Sequence, residues 1–183
     1  MRYLKTLTML VVTAAALTAF AGTASATITS GGSAYTGEIV ATSTNSELDG
    51  TIDVRCDHSS LAGSTTAGAT TFAVTSLTFS ECTADTYTAI KNGSLRFDSN
   101  GTIFWEGTEL TVQLHRVVFG FPITTHCIYA TSGTDIATLA EGTDQINLIG
   151  TNIPQKATDS GCGSNAQWTG SYTIVKPGAL TID

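Results

Sequence analysis

The feature that most constrains the fold is an alternation of apolar and polar side chains with a period of two residues. In the segment 167–175, Trp168, Tyr172 and Ile174 share one parity, and threonine and serine occupy the other. This pattern is typical of a strand with one face against a core and the other in water. The pattern recurs in about ten short segments, which are separated by turns rich in Gly, Asn, Asp and Ser.

The recurrence predicts an all-β fold, namely an antiparallel β-sandwich of the immunoglobulin-like or jelly-roll-like type. An up-and-down β-barrel is the alternative. In one long apolar segment the parity changes, because Phe72 and Val74 share one phase and Leu77 and Phe79 share the other. We therefore expect a β-bulge near Thr75-Ser76.

Four short strands are predicted to form a meander, over residues 87–90, 94–98, 102–105 and 109–115. We expect Glu106-Gly107-Thr108 to be the turn between the last two. The segment 117–125 is apolar but contains Gly120 and Pro122, which favours a loop or an edge strand. Residues 27–33 are small and polar, and we expect a loose lead-in there.

The N-terminus has the organisation of a secretory signal peptide. A basic start precedes an apolar run from Leu7 to Ala21, and Ala24-Ser25-Ala26 is a small-x-small cleavage signature. We expect residues 1–26 to be this signal peptide and residues 27–183 to form a single domain. No membrane span is expected after signal cleavage.

The exported part is predicted to be acidic. Without Arg2 and Lys5, six of the eight basic residues remain against 15 acidic ones, which gives a net charge of about −9. Such a field repels phosphate backbones and anionic lipid surfaces. We therefore expect no nucleic-acid partner.

All four cysteines lie in the exported part, at Cys56, Cys82, Cys127 and Cys162. An even number in an exported chain predicts two disulfides, for which three connectivities are open. We favour Cys56–Cys82 with Cys127–Cys162, because cysteines close in sequence pair readily between neighbouring antiparallel strands.

Several residue groups invite a chemical interpretation. Cys56-Asp57-His58 and His126-Cys127 would offer zinc two thiolates and two imidazoles, but oxidation in the export compartment removes the thiolates. Asp53 and Asp57 lack the loop of a calcium site, and Glu106 with Glu109 flank an expected turn. We therefore expect no metal and no cofactor.

Nothing in the sequence predicts catalysis. There is no Gly-x-Ser-x-Gly elbow, and His58, His115 and His126 lie outside recognisable catalytic motifs. We do not expect an enzyme, and a secreted hydrolase ranks third among the functional hypotheses.

Three aromatic residues are candidates for facing a ligand: Trp105, Phe119 and Phe121. Exposed together, they would form a platform for stacking sugar rings or holding an apolar molecule. Packing in the core is the alternative, and it is the interpretation favoured for Trp168 and Tyr172.

Three segments carry a resemblance to known proteins: Leu77-Thr78-Phe79-Ser80-Glu81-Cys82, the stretch from Cys127 to Asp135, and Gln167-Trp168-Thr169-Gly170-Ser171-Tyr172. In these segments the chain resembles a group of small exported bacterial proteins with four cysteines and no assigned function. More distantly, the order of Phe-Ser-x-Cys, a later Cys and a last Cys before a Trp strand is similar to exported activators of alkane oxidation. Neither resemblance supplies a functional residue.

These observations predict a secreted or cell-envelope-associated protein that acts as a structural, adhesive or binding module. Its partner is expected to be a polysaccharide, a surface protein or a small apolar ligand. The alternative is a carrier of a small apolar ligand, with a pocket lined by Trp105, Phe119 and Phe121.

Overall fold

The computed structural model describes residues 26–51, 53–140, 142–158 and 161–183. The expected signal peptide lies outside the described residues, except for Ala26. Within the described ranges the chain forms thirteen strands: β1 (Ile28–Ser30), β2 (Ser33–Ala34), β3 (Gly37–Ser43), β4 (Ser46–Asp49), β5 (Val54–Thr65), β6 (Thr71–Cys82), β7 (Thr86–Lys91), β8 (Ser94–Phe97), β9 (Thr102–Val118), β10 (Phe121–Leu139), β11 (Gln145–Thr158), β12 (Asn165–Lys176) and β13 (Thr181–Ile182).

Ten of these strands form one large antiparallel sheet. Its order is β10-β11-β12-β3-β5-β6-β8-β9-β7, and β4 pairs with both β12 and β5. Strand β9 also pairs with β10 along almost its whole length, so the sheet folds back over itself. No helix of the length and apolarity required to cross a membrane is found in the described part of the chain.

The alternating side chains of this sheet meet in one hydrophobic core. The largest side chains that are fully buried include Trp105 of β9, Trp168 and Tyr172 of β12, Tyr129 of β10 and Phe72 of β6. Strands β9 and β12 are not paired, yet the rings of Trp105 and Trp168 are in contact. The two halves of the sheet therefore pack face to face.

The prediction of an all-β fold with antiparallel sheets and two disulfides is confirmed. Strand β8 contributes ladders of only three residue pairs to β6 and four to β9, and β4 and β7 add to the sheet. The result is one large irregular sheet in which β9 returns to pair with β10.

A second, three-stranded sheet corrects the expectation of a loose lead-in over residues 27–33. Its order is β13-β1-β2, and Ile28 of β1 pairs with Ile182 of β13. Ile28 is buried, and the Thr29 hydroxyl donates a hydrogen bond of 2.8 Å to the Asp183 carboxylate. The start of the described chain is thus attached to its last strand.

The expected bulge in β6 is present, whereas an expected turn in β9 is not. Ala62 pairs with Ser76 and Gly63 pairs with Val74, which leaves Thr75 as the extra residue. Glu106-Gly107-Thr108, in contrast, lies inside β9, where a register shift opposite Ala130 and Ser132 accommodates it.

Candidate functional site

The two disulfides have the predicted pairing. Cys56 faces Cys82 across β5 and β6, with an S–S distance of 2.02 Å. Cys127 of β10 is joined to Cys162, in the connection before β12, with an S–S distance of 1.99 Å. All four sulfurs are used, so no thiolate remains for the zinc interpretation.

The structure does not bring the three candidate aromatic residues together. Trp105 is 2% exposed and lies in the core, where its Nε1 donates a hydrogen bond of 3.1 Å to the backbone oxygen of Asn92. Phe119 and Phe121 lie at the far end of β9 and the start of β10, about 40 Å along the strand from Trp105. A pocket lined by all three is therefore not formed, which corrects the expectation for Trp105.

Phe119 and Phe121 instead belong to an exposed β-hairpin, residues 115–124, which we call the apolar hairpin. All ten of its residues are exposed. Among the described residues eight large hydrophobic side chains are exposed, and five of them lie in this hairpin: Val117, Val118, Phe119, Phe121 and Ile123. The exposed apolar surface of the protein is thus concentrated in one element.

The apolar hairpin projects beyond the rest of the sheet. The last residue of β9 that pairs with β7 is Gln113, and the first residue of β10 that pairs with β11 is Cys127. Beyond these positions β9 and β10 pair only with each other, up to the pair Val118 and Phe121. The five residues of β9 beyond Gln113 correspond to a projection of about 15 Å. The Cys127–Cys162 disulfide lies at its base.

The tip is a two-residue turn in which both residues have a left-handed backbone. The φ of Phe119 is 51° and that of Gly120 is 84°, as in a type I′ turn. Glycine adopts this conformation freely, but a bulky aromatic residue there costs about 1–2 kcal/mol. Phe119 is also 97% exposed, so the fold gains no packing energy from its ring.

The apolar hairpin differs in charge from the rest of this acidic protein. No Asp or Glu occurs between Leu110 and Thr134. The nearby Asp85 carboxylate accepts hydrogen bonds from the backbone N–H of His115 at 2.5 Å and contacts its Nδ1 at 2.9 Å. The backbone hydrogen bond from His115 lowers the pKa of Asp85. Arg116 is exposed beside this pair.

Two features reduce the free hydrogen-bonding capacity of the hairpin edges. On β9 the N–H of His115 is already bound by Asp85. On β10 the second residue is Pro122, which has no N–H. Blocked edges of this kind discourage the addition of a further strand.

The remaining candidate groups do not converge on a catalytic arrangement. His58 lies 3.5 Å from Glu81, and both side chains are more than half exposed. Glu109 is held in ion pairs by Lys91 and Lys156, whereas Glu106 is exposed. The hydrogen bonds from these two lysines lower the pKa of Glu109. Among the described residues no cluster of His, Cys, Asp and Glu could hold a metal ion.

The cavities are also small or polar. A void in the core, next to Trp105 and Tyr172, has a volume of about 10 Å³, which is at most the space of one water molecule. A surface cavity of about 260 Å³ is lined by Ser99, Asn100, Gly101, Leu139 and Ile182. Its lining is more polar than apolar, which does not suit a small apolar ligand.

The sequence did not show that residues 117–125 form a projecting hairpin. The available signal was the pair Phe119-Gly120 between two apolar runs, since two residues with positive φ are what a tight hairpin turn requires.

Comparison of the chain with protein-family models, curated proteins and solved structures finds no match.

Proposed function

We propose that this protein is an exported, non-enzymatic binding module of the cell envelope and that the apolar hairpin is its contact element. The observation that carries the proposal is the concentration of exposed large hydrophobic side chains in residues 117–123. Contiguous exposed apolar surface on a folded protein marks an interaction site.

The turn residue supports the same proposal. Phe119 has an unfavourable backbone conformation and an almost fully exposed ring. Neither property helps the fold, and an asparagine or glycine would suit the turn better. Backbone strain of this kind is typical of residues retained for function.

Export is supported by chemistry that does not depend on the hairpin. Two disulfides are consistent with an oxidising compartment outside the cytoplasm. The N-terminal sequence has the pattern of a secretory signal, and removing it leaves an acidic chain rich in Thr and Ser. The protein would then be either released or retained at the cell surface, and the apolar hairpin provides a means of retention.

The alternative functions have less support. A carrier needs an apolar cavity, and the void in the core is only about 10 Å³. A hydrolase needs a nucleophile, a base and an orienting group within hydrogen-bond reach. The His58–Glu81 and His115–Asp85 pairs are each formed by two side chains that are about half exposed or more.

The proposal is tested by fractionating cells that export the protein. We expect wild type to be found with the envelope and the double variant Phe119→Asp, Phe121→Asp to be released into the medium. Burying each phenylalanine contributes about 1.5–3 kcal/mol, so the ratio of bound to free protein should fall more than tenfold. Ile149→Asp, at a residue that is 51% exposed elsewhere, is the matched control and should remain bound. Equal distribution of all three proteins would contradict the proposal.

A further inference from the structure

We propose that the partner of the apolar hairpin is a phospholipid bilayer, into whose interfacial region the tip inserts. This inference rests on the proposed function, because it names the surface that the hairpin contacts. Four properties of the described residues support it: the distribution of apolar side chains, the state of the hairpin edges, the charge around the tip and the length of the projection.

Apolar side chains cover both faces of the hairpin. Side chains alternate between the two faces along each strand. The pair Val118 and Phe121 lies on one face, and the pair Val117 and Pro122 lies on the other. A flat protein surface would cover only one of these faces. An apolar medium that surrounds the tip, such as the lipid interface, would cover both.

Pro122 and His115 reduce the number of outward N–H groups that the hairpin edges would have to remove from water. In a hairpin closed by a two-residue turn, Val118 and Phe121 exchange hydrogen bonds with each other, and the groups of the next pair point outward. In that next pair Pro122 has no N–H to leave unsatisfied. Further down, the N–H of His115 is bound by Asp85. The same features disfavour a second copy or an extended peptide that would bind by strand addition.

The charges select the type of lipid. The whole stretch from Leu110 to Thr134 contains no acidic residue, and Arg116 is exposed just behind the tip. A cation at this level would meet lipid phosphates while the apolar tip lies deeper. The strongly acidic exported chain is repelled by anionic bilayers, so we expect zwitterionic bilayers to be preferred.

The length of the apolar hairpin also suits insertion into the lipid interface. Interfacial elements bury their apolar side chains about 5–10 Å into the boundary between headgroups and acyl chains. The apolar hairpin projects about 15 Å beyond its neighbouring strands, so the tip can enter this layer while the rest of the sheet stays outside.

The experiment is sedimentation of the exported protein with phosphatidylcholine vesicles, with and without phosphatidylglycerol. We expect wild type to sediment with phosphatidylcholine, the Phe119→Asp, Phe121→Asp variant to lose more than about tenfold in binding, and Ile149→Asp to bind as wild type does. Phe119→Asn is a second test, because asparagine suits the turn better than phenylalanine and the substitution removes the aromatic ring. It should also bind less.

Vesicle binding and retention on cells test the lipid inference and the proposed function separately. If wild type did not sediment with vesicles but its retention on cells still depended on Phe119 and Phe121, the lipid inference would be overturned and the contact element would stand. Self-association that requires the same two residues, measured by light scattering, would likewise replace the bilayer with a second copy. If retention on cells were also independent of the hairpin, both proposals would be wrong.

Discussion

The indole rings of Trp105 and Trp168 lie 4.8 Å apart between centroids, with an interplanar angle of 35°. They come from β9 and β12, which share no hydrogen bonds, so the contact crosses the core. Each indole N–H has a partner, since Nε1 of Trp105 donates to the Asn92 backbone oxygen and Nε1 of Trp168 donates to the Ser46 hydroxyl at 2.9 Å. Both rings are therefore buried without an unsatisfied polar atom.

The first prediction follows from the different positions of two aromatic residues on the same long hairpin. Trp105→Ala should lower the free energy of unfolding by about 3–5 kcal/mol, because it leaves a cavity in the core. Phe119→Ala, at a ring that is 97% exposed, should change it by less than about 0.5 kcal/mol. Urea unfolding monitored by circular dichroism measures both values. Similar losses in the two variants would show that Phe119 packs against the fold.

The second prediction compares two buried tyrosines. The Tyr172 hydroxyl lies 2.6 Å from the Ser59 hydroxyl, and removing it in Tyr172→Phe leaves Ser59 buried without that partner. This should cost about 1–3 kcal/mol. The Tyr87 hydroxyl has no hydrogen-bond partner among the described residues. Tyr87→Phe should therefore be neutral or stabilising, and a loss equal to that of Tyr172→Phe would indicate a partner for Tyr87.

The third prediction concerns alkaline pH. Burial raises the pKa of Tyr172 to about 12, although the Ser59 hydrogen bond acts in the opposite direction. Since the folded-state pKa lies above the unfolded-state pKa of about 10, this contribution to stability is complete below pH 10. It is lost as the pH rises from about 10 through 12.

Unfolding measured in urea at a series of pH values between 8 and 12 tests this expectation. Wild type should lose stability above about pH 10, and Tyr172→Phe should lose less over the same interval. Tyr87, whose pKa is also raised by burial, should account for part of what remains. Identical pH profiles for wild type and Tyr172→Phe would contradict the assignment.

The fourth prediction tests a glycine in the turn between β7 and β8. Gly93 has a φ of 69°, and a Cβ there would lie 2.2 Å from the Glu106 backbone oxygen. Gly93→Ala should therefore lower the free energy of unfolding by about 2–4 kcal/mol, through both strain and overlap. Gly142→Ala has a similar φ of 68° but open space around the Cβ, and it should cost only about 1 kcal/mol. Equal effects would mean that the overlap with β9 is relieved at no cost.

Much of the fold could be predicted because it depends on local patterns. In β12 the alternation correctly identified Trp168, Tyr172 and Ile174 as buried. The preferred disulfide pairing was also correct, because Cys56 and Cys82 lie opposite each other on adjacent strands.

The remaining features of the fold and of the candidate site could not be predicted, because they depend on contacts between residues that are distant in sequence. Glu106-Gly107-Thr108 has the composition of a turn, but the Thr108 N–H donates to the Thr131 hydroxyl and β9 continues. Trp105 was a candidate for exposure because its neighbours are apolar, but in the fold it packs against Trp168, which is distant in sequence. The apolar hairpin was obscured because its turn begins with Phe119 and not with the Asn or Asp that such turns favour.

The most direct test of the central claim is the retention of Phe119→Asn on exporting cells, measured beside its unfolding free energy. Asparagine suits the left-handed turn position better than phenylalanine, so the variant should be as stable as wild type or more stable by up to about 1 kcal/mol. If the Phe119 ring serves binding, the envelope-bound fraction should nevertheless fall. A variant that folds at least as well and is retained as fully as wild type would contradict the account.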